Sequence, residues 1–421
     1  MYILSHAVIN DYGDRKMNRN IKINKKVILI LLPIAYIFIG NMKAVYSTPL
    51  PFQEWVLMLY TLIGLICLLF FCVTRKIYIN NPLIILLFFT LFSIIPTFSA
   101  YYDYSMYTAI HMIGQSLFWV ASFTLSYVIA YKSRNSIQSA KLITILIPIF
   151  AILFFNVRQF SAGRGIPDII TAYYNLFLLP FLLTVNKKAL KFSLLIIIFT
   201  TIILSMKRAG FLAFILALFV YFLIHYKSYI YSKKRLYVIF SGVMTAMLLF
   251  LFFDFFIKKY EITILSRLYA VFDDLGSGRY EIWKKTWNMI KCSDFFSLLF
   301  GHGFNAVYMD SVPQYSAHTD LLEVIYDYGI LGSIFYLCFY LRLIKYYKHL
   351  NKIKSEIAAP FASSLCIALV ISAFSHLIIY PTYFIFNCIF WGLVTGECDR
   401  EFVKNERLGL IANGKYNCSS L

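Results

Sequence analysis

Apolar positions arrive in runs of about 17–25 residues separated by short polar stretches, the length an α-helix needs to cross a hydrocarbon core. The runs lie near 27–43, 54–73, 82–99, 107–131, 138–156, 168–186, 189–206, 209–226, 236–257, 321–341, 359–377 and 381–397. They predict an all-α polytopic membrane protein with about twelve transmembrane helices. The pattern breaks once, over residues 258–320, where no run is long enough to span. There Ile282, Trp283, Thr286, Trp287 and Ile290 recur at helical spacing, which predicts an amphipathic helix near 279–292 at the membrane surface. Gly301, Gly303 and Pro313 then mark turns. Three regions follow: a nine-helix transmembrane region over 1–257, a loop over 258–320, and a three-helix region with a polar tail over 321–421. No internal repeat is visible.

Composition supports this reading. Of 421 residues 60% are hydrophobic and only 14% charged, against about 45–50% and about 25% in soluble domains. The net charge of +19 would suit a nucleic-acid binder, but the basic residues sit in short clusters between apolar runs, where they set orientation. With the N-terminus in the cytoplasm, the cytoplasmic segments carry 27 of the 39 Lys+Arg and 7 of the 20 Asp+Glu. The other side carries 12 and 13. Both termini are therefore expected in the cytoplasm and the long loop on the far side. The first run lacks a small-residue cleavage site and reads as an uncleaved helix. Cys292 alone of eight cysteines falls in that loop, so no disulfide is expected there.

Outside the loop only Lys43, Arg158, Arg164, Lys207 and Arg208 oppose the charge rule. Four of these occupy two tight connections, Arg158-Gln-Phe-Ser-Ala-Gly-Arg164 and Lys207-Arg208-Ala-Gly210. A guanidinium grips phosphate oxygens bidentately and stays charged near a membrane, so these positions suit an anionic, membrane-borne ligand. Snorkelling to lipid headgroups explains Arg158 and Lys207 equally well. Arg279 opens the amphipathic helix, where the macrodipole favours acids; as an anion ligand beside free N–H groups it makes better sense. His318 precedes Thr319-Asp320 at the start of the tenth run, and a helix N-terminus there favours the neutral imidazole that a base requires. Asp320, Glu323 and Asp327 share a face at the outer end of that helix, where Asp320 and Glu323 suit a cap with an acid-rich first turn. Asp327 lies two turns in, where an acid is expensive. His302 reads as a turn contact, Asp273-Asp274 as a solvated turn, and His376 is ambiguous. No metal-ligand spacing appears.

Taken in order, these motifs resemble the superfamily of O-antigen polymerases and O-antigen ligases, bacterial membrane glycosyltransferases. They are Gly163-Arg164, Ser205-Met-Lys-Arg208, Ser277-Gly278-Arg279 with Trp283, Gly301-His302-Gly303, and His318-Thr319 with Gly329-Ile-Leu-Gly332. Thr319 departs from the Asn, Ser or Gln usual after the histidine in ligases. The resemblance implies a GT-C-like fold in the bacterial inner membrane and a substrate oligosaccharide carried on undecaprenyl diphosphate, surrounded by membrane lipid. It also implies a flippase and a chain-length regulator in the same pathway, no nucleic acid, no cofactor and no metal. Arg208 and Arg279 would stabilise the departing diphosphate with Arg164 and Arg158 in support, and His318 would serve the acceptor hydroxyl, with Asp320, Glu323 and Asp327 nearby. Polymerase is the leading expectation and ligase the second. A transporter or flippase would place ionisable residues near the bilayer midplane, where this chain has almost none.

Overall fold

The computed structural model describes residue 33 and residues 36–37, 51–74, 81–133, 137, 141–163, 171–205, 207–225 and 278–407; of 51–53, 158–163 and 405–407 only the backbone is described. The helices are α1 (Pro51–Thr74), α2 (Pro82–Tyr102), α3 (Met106–Lys132), α4 (Leu146–Gly163, led in by a 3-10 turn Lys141–Ile145), α5 (Ala172–Leu183), α6 (Lys188–Leu204) and α7 (Arg208–His225). They continue with α8 (Arg279–Cys292), α9 (Phe295–Phe300), α10 (Ala306–Asp310), α11 (Asp320–Lys352), α12 (Ala358–Phe374) and α13 (Pro381–Arg407). No strand occurs among the described residues. Five of these helices are long and apolar enough to cross a membrane: α1 from Glu54, α2, α3, α7 and α11. Most of the run at 27–43, that at 236–257, and loop residues 258–277 lie outside the described residues.

Helix ends follow local chemistry. Pro82 opens α2 at a position that needs no N–H, and Asn81 caps it by accepting from Leu83 N at 2.9 Å. Ser105 caps α3 by accepting from Thr108 N at 3.0 Å.

In lipid, helices associate by close packing rather than by escape from water, and α3 shows how. Its residues 116–127 are buried on every side. Trp119 lies among Phe89, Tyr336, Phe339 and Phe384. Gly392 and Gly396 of α13 face α3, where an added Cβ would stand 2.4 Å from Phe123 O and from Tyr127 O. This small-xxx-small spacing brings the two backbones into contact. The last helix thus packs along one of the first. Leu62, Ile66, Leu69 and Phe70 on α1, and Ile215 and Phe219 on α7, point outward, as lipid-facing residues do.

The two ends of the bundle differ. At one, half-buried Asp399 accepts from Tyr127 at 2.6 Å, Tyr346 at 2.8 Å and Asn81 at 3.1 Å, joining α2, α3, α11 and α13. The loop helices α8–α10 gather at the other end. They form a small core of Ile290, Ala306, Val307 and Ala317 on Tyr326 of α11. The predicted amphipathic helix is there with the predicted bounds; it buries Thr286 and Ile290 and leaves Trp287 exposed.

Candidate active site

Gly329 organises the loop. Its φ of 67° and ψ of −174° interrupt α11, a conformation only glycine adopts readily. The break removes the helical partners of the Tyr326 and Asp327 carbonyls. His302 N and Gly303 N replace them, donating at 3.0 and 2.8 Å. The approach is tight: a Cβ on Gly301 would lie 2.3 Å from Asp327 O, and one on Gly329 2.4 Å from Leu299 O. Gly301-His302-Gly303 and Gly329 are therefore two halves of one joint. The break in α11 and the docked segment are what the glycine at 329 provides. Thr97 and Tyr101 of α2 hold the other side, bonding Phe304 N at 3.1 Å and Phe304 O at 2.8 Å. The His302 imidazole bonds Ser293 at 2.9 Å and stacks on Tyr326, a turn contact as expected.

The three acids of α11 are fully buried, and each faces backbone amides. Asp327 accepts from Asn305 N (2.7 Å), Ala306 N (3.0 Å) and Val307 N (3.3 Å), capping α10. Glu323 accepts from Ala317 N at 2.6 Å. Asp320 accepts from Leu377 N at 2.7 Å and Ile378 N at 3.3 Å in the turn after α12, and from Tyr336 at 3.2 Å. All three tie loop or turn backbone to α11.

These ties place His318 and His376 together. His318, with φ 55°, sits between anchored Ala317 and Asp320. His376 immediately precedes the two amides that Asp320 holds, and its carbonyl accepts from Tyr383. The two rings lie 4.5 Å apart, inclined at 31°. Burial pulls the His318 pKa down to about 4, helped by the charges of Arg279 and Lys207. Burial, then His318, Lys207 and Arg279, bring His376 to about 3. Both imidazoles are neutral at physiological pH.

Those causes locate the cations. Arg279, from the loop, and Lys207, from the connection between α6 and α7, act on the same imidazoles although 72 residues separate them in the chain. Arg279 also acts on Tyr173 of α5, which bonds Ser375. Gly210 lets the start of α7 close on Tyr173, for a Cβ there would meet its ring at 2.8 Å. Arg208 is the first residue of α7 and half-buried; of the adjacent pair, Lys207 bears on both histidines. Arg158 lies in α4 with its side chain outside the description, and Arg164 and Asp273-Asp274 lie outside the described residues. His376, left ambiguous by sequence, is a full member of the cluster; only its place at the outer end of a run hinted at this. Among the described residues no group of three or more His, Cys, Asp or Glu is gathered as metal ligands would be.

The site thus joins two neutral imidazoles to cations from two separate segments at one end of a helical bundle. No curated protein matches the chain. Residues 193–337, which include Lys207, Arg208, Arg279 and His318 but not His376, match the family model described as O-antigen ligase, so over that part of its length the chain is similar to that family of membrane proteins.

Proposed function

We propose that the chain is a surface-polysaccharide polymerase, a glycosyltransferase that joins oligosaccharide repeats carried on undecaprenyl diphosphate at the outer leaflet of the inner membrane. In this reading the chain has twelve spans, its termini are cytoplasmic, and the end bearing α8–α10 faces outward. The observation that carries the reading is the convergence of Arg279 and Lys207 on the His318–His376 pair. Cations beside neutral bases suit a reaction in which an anionic group departs while a hydroxyl attacks.

In that reaction an acceptor hydroxyl oxygen forms a bond to the anomeric carbon of the donor sugar. The bond from that carbon to the diphosphate oxygen breaks, and undecaprenyl diphosphate leaves with the electron pair. Diphosphate is already a good leaving group, so its developing charge needs fixed cations rather than a covalent intermediate. Arg279 and Arg208 take that role with Lys207, supported by Arg164 and Arg158. His318 accepts the hydrogen bond of the attacking hydroxyl and takes its proton as the new bond forms; the proton then passes to solvent or to the departing diphosphate. Asp320, Glu323 and Asp327 act on the acceptor side by fixing the backbone that carries the two histidines.

A second reading, ligation of the finished glycan to lipid A core, fits the family description as well. It uses the same donor and differs in the acceptor. The test is reconstitution of the purified protein in lipid nanodiscs with lipid-linked repeats, with and without lipid A core. A ladder of longer lipid-linked glycans is expected from repeats alone. Arg279→Ala and His318→Ala should each lower it about 100-fold or more, and Arg279→Lys nearly as much, because lysine lacks the bidentate fork. Product only when lipid A core is present would make the protein a ligase.

A further inference from the structure

Beside the histidine pair lies a cavity of about 310 Å³, bounded by α1, α3, the segment before α10 and the turn between α12 and α13. Ligand pockets typically span about 300–1,000 Å³, so this one has room for a short saccharide segment and not for a long glycan. No lining residue carries a formal charge. Tyr36, Phe118 and Tyr380 supply aromatic surface, and Gln115, Asn305 and Thr382 supply amide and hydroxyl groups.

These groups are held in place. The Gln115 amide nitrogen lies 3.3 Å from the His111 ring nitrogen. Tyr174 donates to the Thr382 hydroxyl at 3.3 Å, which leaves that hydroxyl its own proton to donate. Asn305 is fixed by its N–H on Asp327. Tyr380 belongs to both sites: it lines the cavity, and its ring lies 5.3 Å from that of His376. Cavity and imidazoles thus share a wall.

We infer that this cavity is the acceptor-sugar subsite, holding the terminal saccharide of the acceptor so that one hydroxyl reaches the imidazoles past Tyr380; the inference rests on the proposed glycosyl transfer. Sugar rings present apolar faces that lie on aromatic rings and hydroxyl edges that bond amides and hydroxyls. A diphosphate would find no cation in the lining. A polyprenyl chain would leave the remaining hydrogen-bonding capacity of Gln115, Asn305 and Thr382 facing hydrocarbon, which is costly. The diphosphate would lie on the Lys207–Arg279 side of the histidines and the acceptor sugar on the Tyr380 side.

The experiment uses the full chain in nanodiscs and two probes. One is the oligosaccharide released by mild acid from the lipid-linked repeats of cells lacking the gene; the other is farnesyl diphosphate. Gln115→Leu and Thr382→Val should each weaken oligosaccharide binding about tenfold or more and leave farnesyl diphosphate within about twofold, with Arg279→Ala giving the reverse pattern. Two near-isosteric variants guard against loss of fold in either. Unchanged oligosaccharide binding in both variants, in a protein that still polymerises lipid-linked repeats, overturns the cavity assignment alone. Weakened farnesyl diphosphate binding in both would mean that the cavity holds the lipid instead, and would also overturn it. Saccharide binding that responds to both variants, in a wild-type protein that elongates nothing, would leave the cavity a sugar site and overturn the polymerase reading.

Discussion

At the scale of single residues, the telling fact is that His318 is a poor base until something changes around it. A general base works best with a pKa near the working pH, and burial with Arg279 and Lys207 holds this one at about 4. A bound diphosphate would lie against those same cations and offset them, so the imidazole pKa rises in the complex. The substrate would in this way tune the base that serves it. In the proposed transfer the unprotonated form is the active one, so activity is expected to fall as pH drops through the pKa. The acid limb of kcat/KM reports the free enzyme and that of kcat the bound complex. The kcat limb should therefore lie at higher pH. Rates measured between pH 4 and 8 settle it: a kcat limb at or below that of kcat/KM would mean that no anion sits beside His318.

At the scale of elements, the break at Gly329 separates two duties of α11. Residues 330–352 form a helix of about 35 Å, long enough to span about 30 Å of hydrocarbon unaided. The turns from Asp320 to Tyr328 are then free to serve as the docking post for the loop. Sequence placed Asp327 two turns into the membrane; past the break it stands as a cap on α10 instead. Two glycines separate an ordinary left-handed turn, Gly278 with ψ 5°, from a glycine-only conformation in close contact, Gly329 with ψ −174°. Gly278 has φ 75° and open space around its Cβ position, whereas Gly329 has φ 67° and Leu299 O at 2.4 Å. Gly278→Ala should cost about 1 kcal/mol, the left-handed penalty alone. Gly329→Ala combines a glycine-only backbone conformation, about 1–3 kcal/mol, with overpacking of about 1–3 kcal/mol and should expose α8–α10 to protease while the spans stay in the membrane. Equal costs for the two would mean that the joint is looser than described.

The same elements show what the sequence could and could not reveal. The helix Arg279–Cys292 was legible because its apolar positions repeat at short range, and the membrane helices because their runs are long. His318 and Arg279 stood out because each sits at a helix start. The joint between Gly301-His302-Gly303 and Gly329 was not legible, since its hydrogen bonds cross about 25 residues of chain and leave only glycines as a trace. His376 was hidden for a like reason: nothing near it in the chain announces chemistry, and it becomes a neighbour of His318 only through the carboxylate of Asp320.

For the whole molecule, the placement of charge gives the testable statement. If the end bearing α8–α10 faces outward, phosphatase fusions after residue 290 should be active and those after 232 or 350 inactive. High activity at 350 would invert α11 and move the site to the cytoplasm. One tie described above also fixes an order of assembly. The ribosome delivers the loop and α11 first, whereas the amides that Asp320 binds, Leu377 N and Ile378 N, come 57 and 58 residues later. A nascent chain stalled ahead of His376 would carry Arg279, the glycine joint and His318, yet Asp320 would lack these donors and His318 its partner. Maturation of the site therefore waits for the twelfth helix of the described set to be inserted, and a truncated product would reach the membrane with its cations in place and no paired histidines to go with them.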